Sequence, residues 1–237
     1  MKAASWLLWG GALATGAYIA THKKSRVVES NEPLTGRWVW PLGTWQGRKP
    51  EISDGFNGTR RSSSGNPIGH GGVDVMYRRQ AADTWSVGSP NGSRLFVMPD
   101  HRAVLAASDG RVWSASLTPR GWSVVIDHAP RKVATYYTHM TELLVTPKQE
   151  VHAGQPIGIV GADPLDAQHL KHLHFETWRG GPNDRFDPEP LMHDWERIPD
   201  PGDLPQTVAA RNARQRVEHA PGERFVVQQH TRRYPRR

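Results

Sequence analysis

The chain contains no cysteine. No disulfide can staple it and no thiolate can hold a metal, so any metal centre must be built from histidine and carboxylate. That absence leaves the compartment open, because an envelope protein can do without disulfides. Long helical periodicity is missing too: nothing before Leu204 carries a sustained 3.6-residue apolar pattern, which argues against βαβ units. Acidic side chains are the minority, 23 against 30 Lys and Arg, for a net charge of +7. No zinc finger, helix-turn-helix pattern or aromatic-interleaved RNA-binding motif accompanies the positive charge, so no specific nucleic-acid partner is expected.

What is present is a chain rich in turn residues. Its 237 residues allow one substantial domain with tails, and 23 Gly and 19 Pro beside an apolar fraction of 37% lean towards an all-β domain with long loops. Short apolar or alternating stretches recur at Arg94–Met98, Ala103–Ala107, Arg111–Ser116, Trp122–Asp127, Val133–His139, Ile157–Val160 and His172–Trp178. Asp109-Gly110, Arg120-Gly121, Ala153-Gly154 and Arg179-Gly180-Gly181 punctuate them. Strands this short and this close in sequence predict antiparallel sheets joined by hairpins.

The two ends differ from the middle. Ala3 to Ala20 is an apolar run which, as a helix, would be roughly 27 Å long, near one hydrocarbon thickness. An uncleaved anchor and a removed secretion signal both fit; the lack of a small-x-small cleavage site favours the anchor. Lys23, Lys24 and Arg26 follow the run while only Lys2 precedes it, which by the positive-inside rule would leave the bulk of the chain inside. A phage particle or lysis protein is a further setting for such a weakly apolar segment. At the other end Arg211, Arg214, Arg216, Arg224, Arg232, Arg233, Arg236 and Arg237 face only Glu218 and Glu223. Such a tail can contact an anionic polymer or lipid, or be merely solvated. The expected division is a hydrophobic anchor or signal over 1–21, a linker over 22–36, a folded domain over 37–195 and a basic tail over 196–237. A short helix is expected at Thr207–His219.

The chemistry concentrates in histidine. His70-Gly71-Gly72-Val73-Asp74 and His172-Leu173-His174-Phe175-Glu176 stand about a hundred residues apart, with Tyr136-Tyr137-Thr138-His139 between them. On a strand, His172 and His174 share one face at Cα atoms roughly 6.5–7 Å apart, while Leu173 and Phe175 face a core. Two surface histidines on a strand would look the same. His70 and Asp74 tilt the balance, because a His and an Asp four apart around a Gly-Gly turn can converge on one ion. His169 is near enough to the pair to be an alternative ligand. Trp38, Trp40 and Trp45 could pack over the sheet or stack on sugar, and packing is the simpler role.

These motifs resemble those of the lysostaphin/LytM-type zinc endopeptidases, which cut peptide bonds in bacterial peptidoglycan. The likeness runs from about Trp38 to Met192. It takes in Ser53-Asp54-Gly55-Phe56, Asp109-Gly110-Arg111-Val112, Val125-Ile126-Asp127-His128, Val151-His152-Ala153-Gly154-Gln155-Pro156-Ile157-Gly158 and Asp187-Pro188-Glu189-Pro190-Leu191 as well as the histidine motifs. The resemblance implies an all-β fold, an antiparallel β sandwich or barrel-like sheet. It implies one zinc ion held by His70, Asp74 and His174, with His139 and His172 at the two catalytic histidine positions. Two neutral imidazoles, one carboxylate and a water make an open four-coordinate zinc site. Glu176 would be the acceptor that fixes a ligand's tautomer. Lys171 replaces a proline common before the family's His-x-His, and Gly161–Lys171 replaces a Gly/Thr-rich turn; both changes fall where a substrate cleft would be lined. All five key positions are intact, unlike those of the family's degenerate, non-enzymatic members.

The expected function is therefore zinc-dependent hydrolysis of peptide cross-links or stem peptides of peptidoglycan. It would serve wall remodelling or lysis at the cell envelope, from a membrane-anchored or exported position, with a phage-encoded, virion-associated protein among the settings. The alternative is an envelope or virion component that keeps the fold and binds wall without cutting it.

Overall fold

The computed structural model describes residues 36–57, 60–61, 67–129 and 131–201. The expected anchor, the linker apart from Gly36, and the tail beyond Pro201 with its Thr207–His219 helix lie outside the described residues. Among the described residues no helix is long and apolar enough to cross a membrane.

The described part is almost wholly antiparallel β. In chain order the strands are β1 (Pro50–Asp54), β2 (Arg60–Arg61), β3 (Pro67–Ile68), β4 (Val73–Arg78), β5 (Phe96–Val97), β6 (Ala103–Leu105) and β7 (Gly110–Thr118). There follow β8 (Gly121–Asp127), β9 (Ala134–Leu143), β10 (Glu150–Val151), β11 (Pro156–Val160), β12 (Leu173–Trp178) and β13 (Arg185–Phe186), then a single helical turn, α1 (Glu189–Met192). Each of the seven expected stretches carries one of these strands.

One sheet takes up eleven strands: seven run in the order β1-β4-β12-β9-β8-β7-β10, and β5, β6, β11 and β13 join off this path. It branches at β9, whose first half pairs β12 through Ala134–Thr138 and whose second half pairs β11 through Met140–Leu143. β11 in turn pairs β6. A strand that changes partner part-way along must bend, and β9 bends at a bulge opposite Trp122–Val124. The alternation of the strands shows why the sheet closes over a core. Val73, Val75 and Tyr77 of β4, Leu173 and Phe175 of β12 and Tyr137 of β9 are all fully buried. Each such apolar side chain contributes about 1.5–3 kcal/mol by leaving water. Trp38, Trp40 and Trp45 are buried in the same core, Trp38 stacked on Trp195. They pack; they do not line a surface.

The segment after Trp195 lies alongside the entrance to the domain. Val39 bridges Glu196 and Thr44 bridges Pro199, both in parallel sense, and Asp200 accepts from Arg102 at 3.3 Å in a buried ion pair.

Candidate metal centre

Strand register assembles the centre. Asp74 of β4 stands directly opposite His174 of β12, and His174 stands opposite Thr138 of β9. Residues opposed across antiparallel strands share a face, so Asp74 and His174 are brought together by sheet pairing alone. His70 arrives from the loop before β4. Its Nδ1–H donates to the Gly55 carbonyl at 2.8 Å and its own carbonyl accepts from Asn57 N–H at 2.9 Å, which fixes the ring. Gly72 explains how close that loop runs: a side chain there would strike the Phe175 carbonyl and the Glu176 Cγ of β12.

His139 needs a special backbone. Tyr136 and Thr138 face the site side of β9 and Tyr137 faces the core, so a regular strand would send His139 into the core as well. Instead His139 has φ 66°, a left-handed conformation at the β9 bulge, which swings its ring back to the site side. Its ring then lies 4.6 Å from that of His172 and 5.7 Å from that of His174. Strand β12 begins at Leu173, one residue after His172, yet His172 Nε2 still comes within 3.7 Å of Asp74 Oδ1.

Tautomers follow from partners. A backbone carbonyl can only accept, so the ring nitrogens facing Gly55, Arg120 and Leu170 carry the protons. That leaves Nε2 of His70, His139 and His172 as lone-pair acceptors in the neutral rings. His174 is turned the other way round. Its Nε2–H donates to Glu176 Oε1 at 2.9 Å, which leaves Nδ1 facing Asp74 Oδ1 at 3.0 Å.

The donor set fits a metal cation. His70 Nε2 and His174 Nδ1 are 2.9 Å apart, and Asp74 Oδ1 is 3.1 Å from the first and 3.0 Å from the second. Two lone pairs and a carboxylate oxygen aimed at one another repel unless a positive charge lies among them. Without a metal that positive charge is a proton on an imidazole, and Asp74 and His174 are both shifted towards their charged forms. Burial opposes charge on Asp74, but hydrogen bonding to His174 and His70 outweighs it and holds the carboxyl well below its usual range. Burial likewise opposes a charged His174, yet Asp74 and Glu176 on either side raise its pKa. Ligand atoms of His70, Asp74 and His174 all lie within 4.8 Å of one another, the only such His/Cys/Asp/Glu grouping among the described residues. His/His/carboxylate is a donor set zinc accepts, with a position left open.

His139 and His172 are brought to the same place but stand outside that group. Burial, with the neighbouring His172 adding to it, pushes His139 down to about 4, so its ring is neutral at neutral pH. His169 is exposed and takes no part in the group.

A groove of about 450 Å³ opens beside the centre, lined by Asp74 and His172, by Asp54 of β1, and by Arg120, Asp163 and Leu165. The Gly161–Lys171 loop thus forms one wall of it. Arg120 was not singled out by any motif, although its carbonyl holds His139 at 2.9 Å and its guanidinium pairs with Asp163. Nor were Trp178 and Arg185, which both reach Glu176. No local signal marks a residue whose contacts come from a turn or an edge strand distant in sequence.

Fold and site together define an all-β domain with a buried His/Asp/His centre and two further imidazoles. Residues 90–188 match the family model described as Peptidase family M23, and the lysostaphin/LytM-type resemblance is borne out in this segment. The matched span includes His139, His172 and His174 but not His70 or Asp74. No curated protein matches the chain. Similar solved structures include a zinc containing peptidase from Vibrio cholerae, at 25% identity and TM-score 0.46, covering 69% of this chain and 41% of that one. The catalytic domain of the antimicrobial peptidase lysostaphin from Staphylococcus simulans is 20% identical at TM-score 0.45, covering 62% and 93%. The SpoIIQ-SpoIIIAH pore forming complex contains another, 19% identical at TM-score 0.47, covering 66% and 90%.

Proposed function

We propose that the protein is a zinc-dependent endopeptidase that hydrolyses peptide bonds of bacterial peptidoglycan, acting at the cell envelope. The observation that carries this reading is the convergence of His70, Asp74 and His174 with two further imidazoles, in a chain that carries a peptidase-family segment. His70 Nε2, Asp74 Oδ1 and His174 Nδ1 would hold one zinc ion. Bound there, zinc would supply Lewis acidity towards water and the scissile carbonyl.

The chain's own residues do the rest. His139 and His172 each have Nδ1–H tied to a backbone carbonyl, Arg120 at 2.9 Å and Leu170 at 2.7 Å. Each therefore offers Nε2 alone to the substrate, as a proton acceptor when neutral and a donor once protonated. In amide hydrolysis the water oxygen bonds to the carbonyl carbon, the C–N bond breaks and the amine leaves with a proton. One imidazole can take the water's proton and the other can hydrogen-bond the oxygen that gains charge, before a proton is returned to the amine. Asp163 Oδ2, 3.9 Å from His139 Nε2, is placed to stabilise a charged His139. Intact residues at all five positions favour an enzyme over a wall-binding component that does not cut.

The test is incubation of the purified full chain with peptidoglycan sacculi, with zinc content measured and released fragments identified by mass. His174→Ala should lose zinc and release nothing. His139→Ala should keep zinc while turnover falls about 10²–10⁴-fold, the usual contribution of a general acid–base group. Equal fragment release by wild type and His174→Ala would refute the enzymatic reading, and zinc loss in His139→Ala would mean that ligand and catalyst are misassigned.

A further inference from the structure

Glu176 stands behind the candidate centre and gathers three donors. His174 Nε2–H reaches Oε1 at 2.9 Å, while Trp178 Nε1–H at 2.5 Å and Arg185 Nε–H at 2.6 Å both reach Oε2. The indole and guanidinium N–H groups can only donate, so Oε2 accepts from both, and the Arg185 guanidinium pairs with the carboxylate. Glu176 therefore presents Oε1 to His174 as an acceptor, and His174 keeps its proton on Nε2. The Nδ1 lone pair is thereby committed to the centre.

Arg185 does more than neutralise Glu176. It lies on β13, which pairs the end of β12, and its side chain also covers the loop that carries His70. A side chain at Gly71 would meet Arg185 Cδ and Nε at 3.1 Å. Gly72, next in that loop, is pressed against the Phe175 carbonyl and Glu176 Cγ. Arg185 thus touches the carboxylate that orients His174 and also the turn that delivers His70. It ties the two ligand-bearing segments together while touching neither ligand atom. Trp178 supplies the rigid side of the same arrangement, since its indole is buried and stacked on Tyr136 at 5.2 Å.

We propose that Arg185 and Trp178 act through Glu176 as positioning residues. They preset the tautomer of His174 and its distance from His70, and so raise the affinity of the centre for zinc. This rests on the reading of His70, Asp74 and His174 as ligands. Arg185 is the discriminating member, because its side chain is 41% exposed and its loss opens no hole in the core.

The experiment titrates zinc into the metal-free full chain against a chromophoric chelator, for wild type, Glu176→Gln, Arg185→Gln, Arg185→Lys and Trp178→Phe. Thermal unfolding of the same metal-free proteins runs alongside. Outer partners of metal ligands typically govern 10–100-fold in affinity. Glu176→Gln and Arg185→Gln should fall about that far, and Arg185→Lys should recover part of the loss by keeping the charge. The metal-free melting temperature of Arg185→Gln should stay within about 2 °C of wild type, since exposed substitutions usually change stability little. Unchanged zinc affinity in Arg185→Gln overturns the proposal. A loss of affinity matched by an equal loss of metal-free stability also overturns it, since Arg185 would then be merely structural. If Arg185→Gln does not fold, Trp178→Phe poses the same question, because it removes one donor and keeps the stack on Tyr136. Wild-type binding is measured first: a wild type that takes up no zinc sinks the zinc reading itself, whereas a wild type that binds and an Arg185→Gln that binds equally sinks only the clamp.

Discussion

At the scale of single residues, two buried histidines of similar appearance have opposite surroundings. His128 and His139 are both pushed down to about 4, each chiefly by burial. His139 turns Nε2 towards Asp163 Oδ2, 3.9 Å away, with the His172 ring beside it. His128 is closed off, completely buried, with Nδ1–H donating to the Asp109 carbonyl at 2.8 Å and Nε2 accepting from the Thr135 hydroxyl at 2.8 Å. The Thr135 and Tyr137 hydroxyls are 2.9 Å apart, and Ala107 N–H donates to Tyr137 at 2.8 Å, so the chain of polar groups is saturated. This makes His128 an acid-sensitive point. Below its unfolded pKa near 6.5 the unfolded chain binds a proton that the folded ring refuses until about pH 4. Stability is fully present above pH 6.5 and is lost as pH falls towards 4, by up to roughly 3 kcal/mol from this group. In metal-free protein, His128→Gln should be less stable than wild type at pH 7 but lose less between pH 7 and pH 4.5, as read from urea unfolding. Identical pH slopes for the two proteins would show that His128 is not what acid attacks.

At the scale of elements, the centre is a product of register. Asp74 and His174 face each other because β4 and β12 pair as they do, and a one-residue slip would turn Asp74 to the opposite face. The Gly-Gly of His70-Gly71-Gly72-Val73-Asp74 sets how closely the preceding loop can run. Gly72→Ala would drive a Cβ into the Phe175 carbonyl, a backbone atom that cannot step aside. The expected cost is about 1–3 kcal/mol of stability, as for overpacking elsewhere, with a loss of zinc affinity because the loop carries His70. Calorimetry and zinc titration on the same sample check both, and a Gly72→Ala protein equal to wild type in each would show that the contact is not tight. The same scale shows what the amino-acid order reveals. Alternation marked β12 plainly, because Leu173 and Phe175 are the core face of a strand whose other face carries His174 and Glu176; Val73, Val75 and Tyr77 do the same in β4, opposite the face of Asp74. Strand β1, Pro50–Asp54, has a single aliphatic residue, and β10 and β13 have two residues each, too few for any period to register. The four site histidines and the aspartate were legible as motifs, whereas the left-handed turn that re-aims His139 was not. Nothing local distinguishes a His at φ 66° from one in an ordinary strand; the bulge opposite Trp122–Val124 arises from pairing with β8. Arg120 and Arg185 stayed hidden for a related reason, since each acts on the site from a neighbouring turn or edge strand.

At the scale of the whole molecule, charge and site are separated along the chain. Between Leu204 and Arg237 eight arginines face two glutamates, so that this stretch carries +6 of the chain's +7. The rest is nearly neutral, and among the described residues the groove beside the centre is lined by Asp54, Asp163, Asp166 and Arg120. If the protein acts on the wall as proposed, the tail is expected to attract an anionic polymer at long range while the groove selects at short range by shape. These two steps respond differently to salt, because attraction between exposed charges is screened within about 8 Å at physiological ionic strength. A truncation has to respect the fold: Thr44 bridges Pro199, and Asp200 is buried against Arg102, so the cut belongs after residue 203. Deleting 204–237 should abolish most of the salt dependence of binding to intact sacculi, measured by co-sedimentation from about 50 to 300 mM NaCl, a range over which the screening length shrinks markedly. Cleavage of a small soluble muropeptide, which the groove alone can hold, should be unchanged. Truncation that leaves the salt dependence of sedimentation intact would place the wall-binding charge on the folded body. Truncation that also stops muropeptide cleavage would tie the tail to the groove itself.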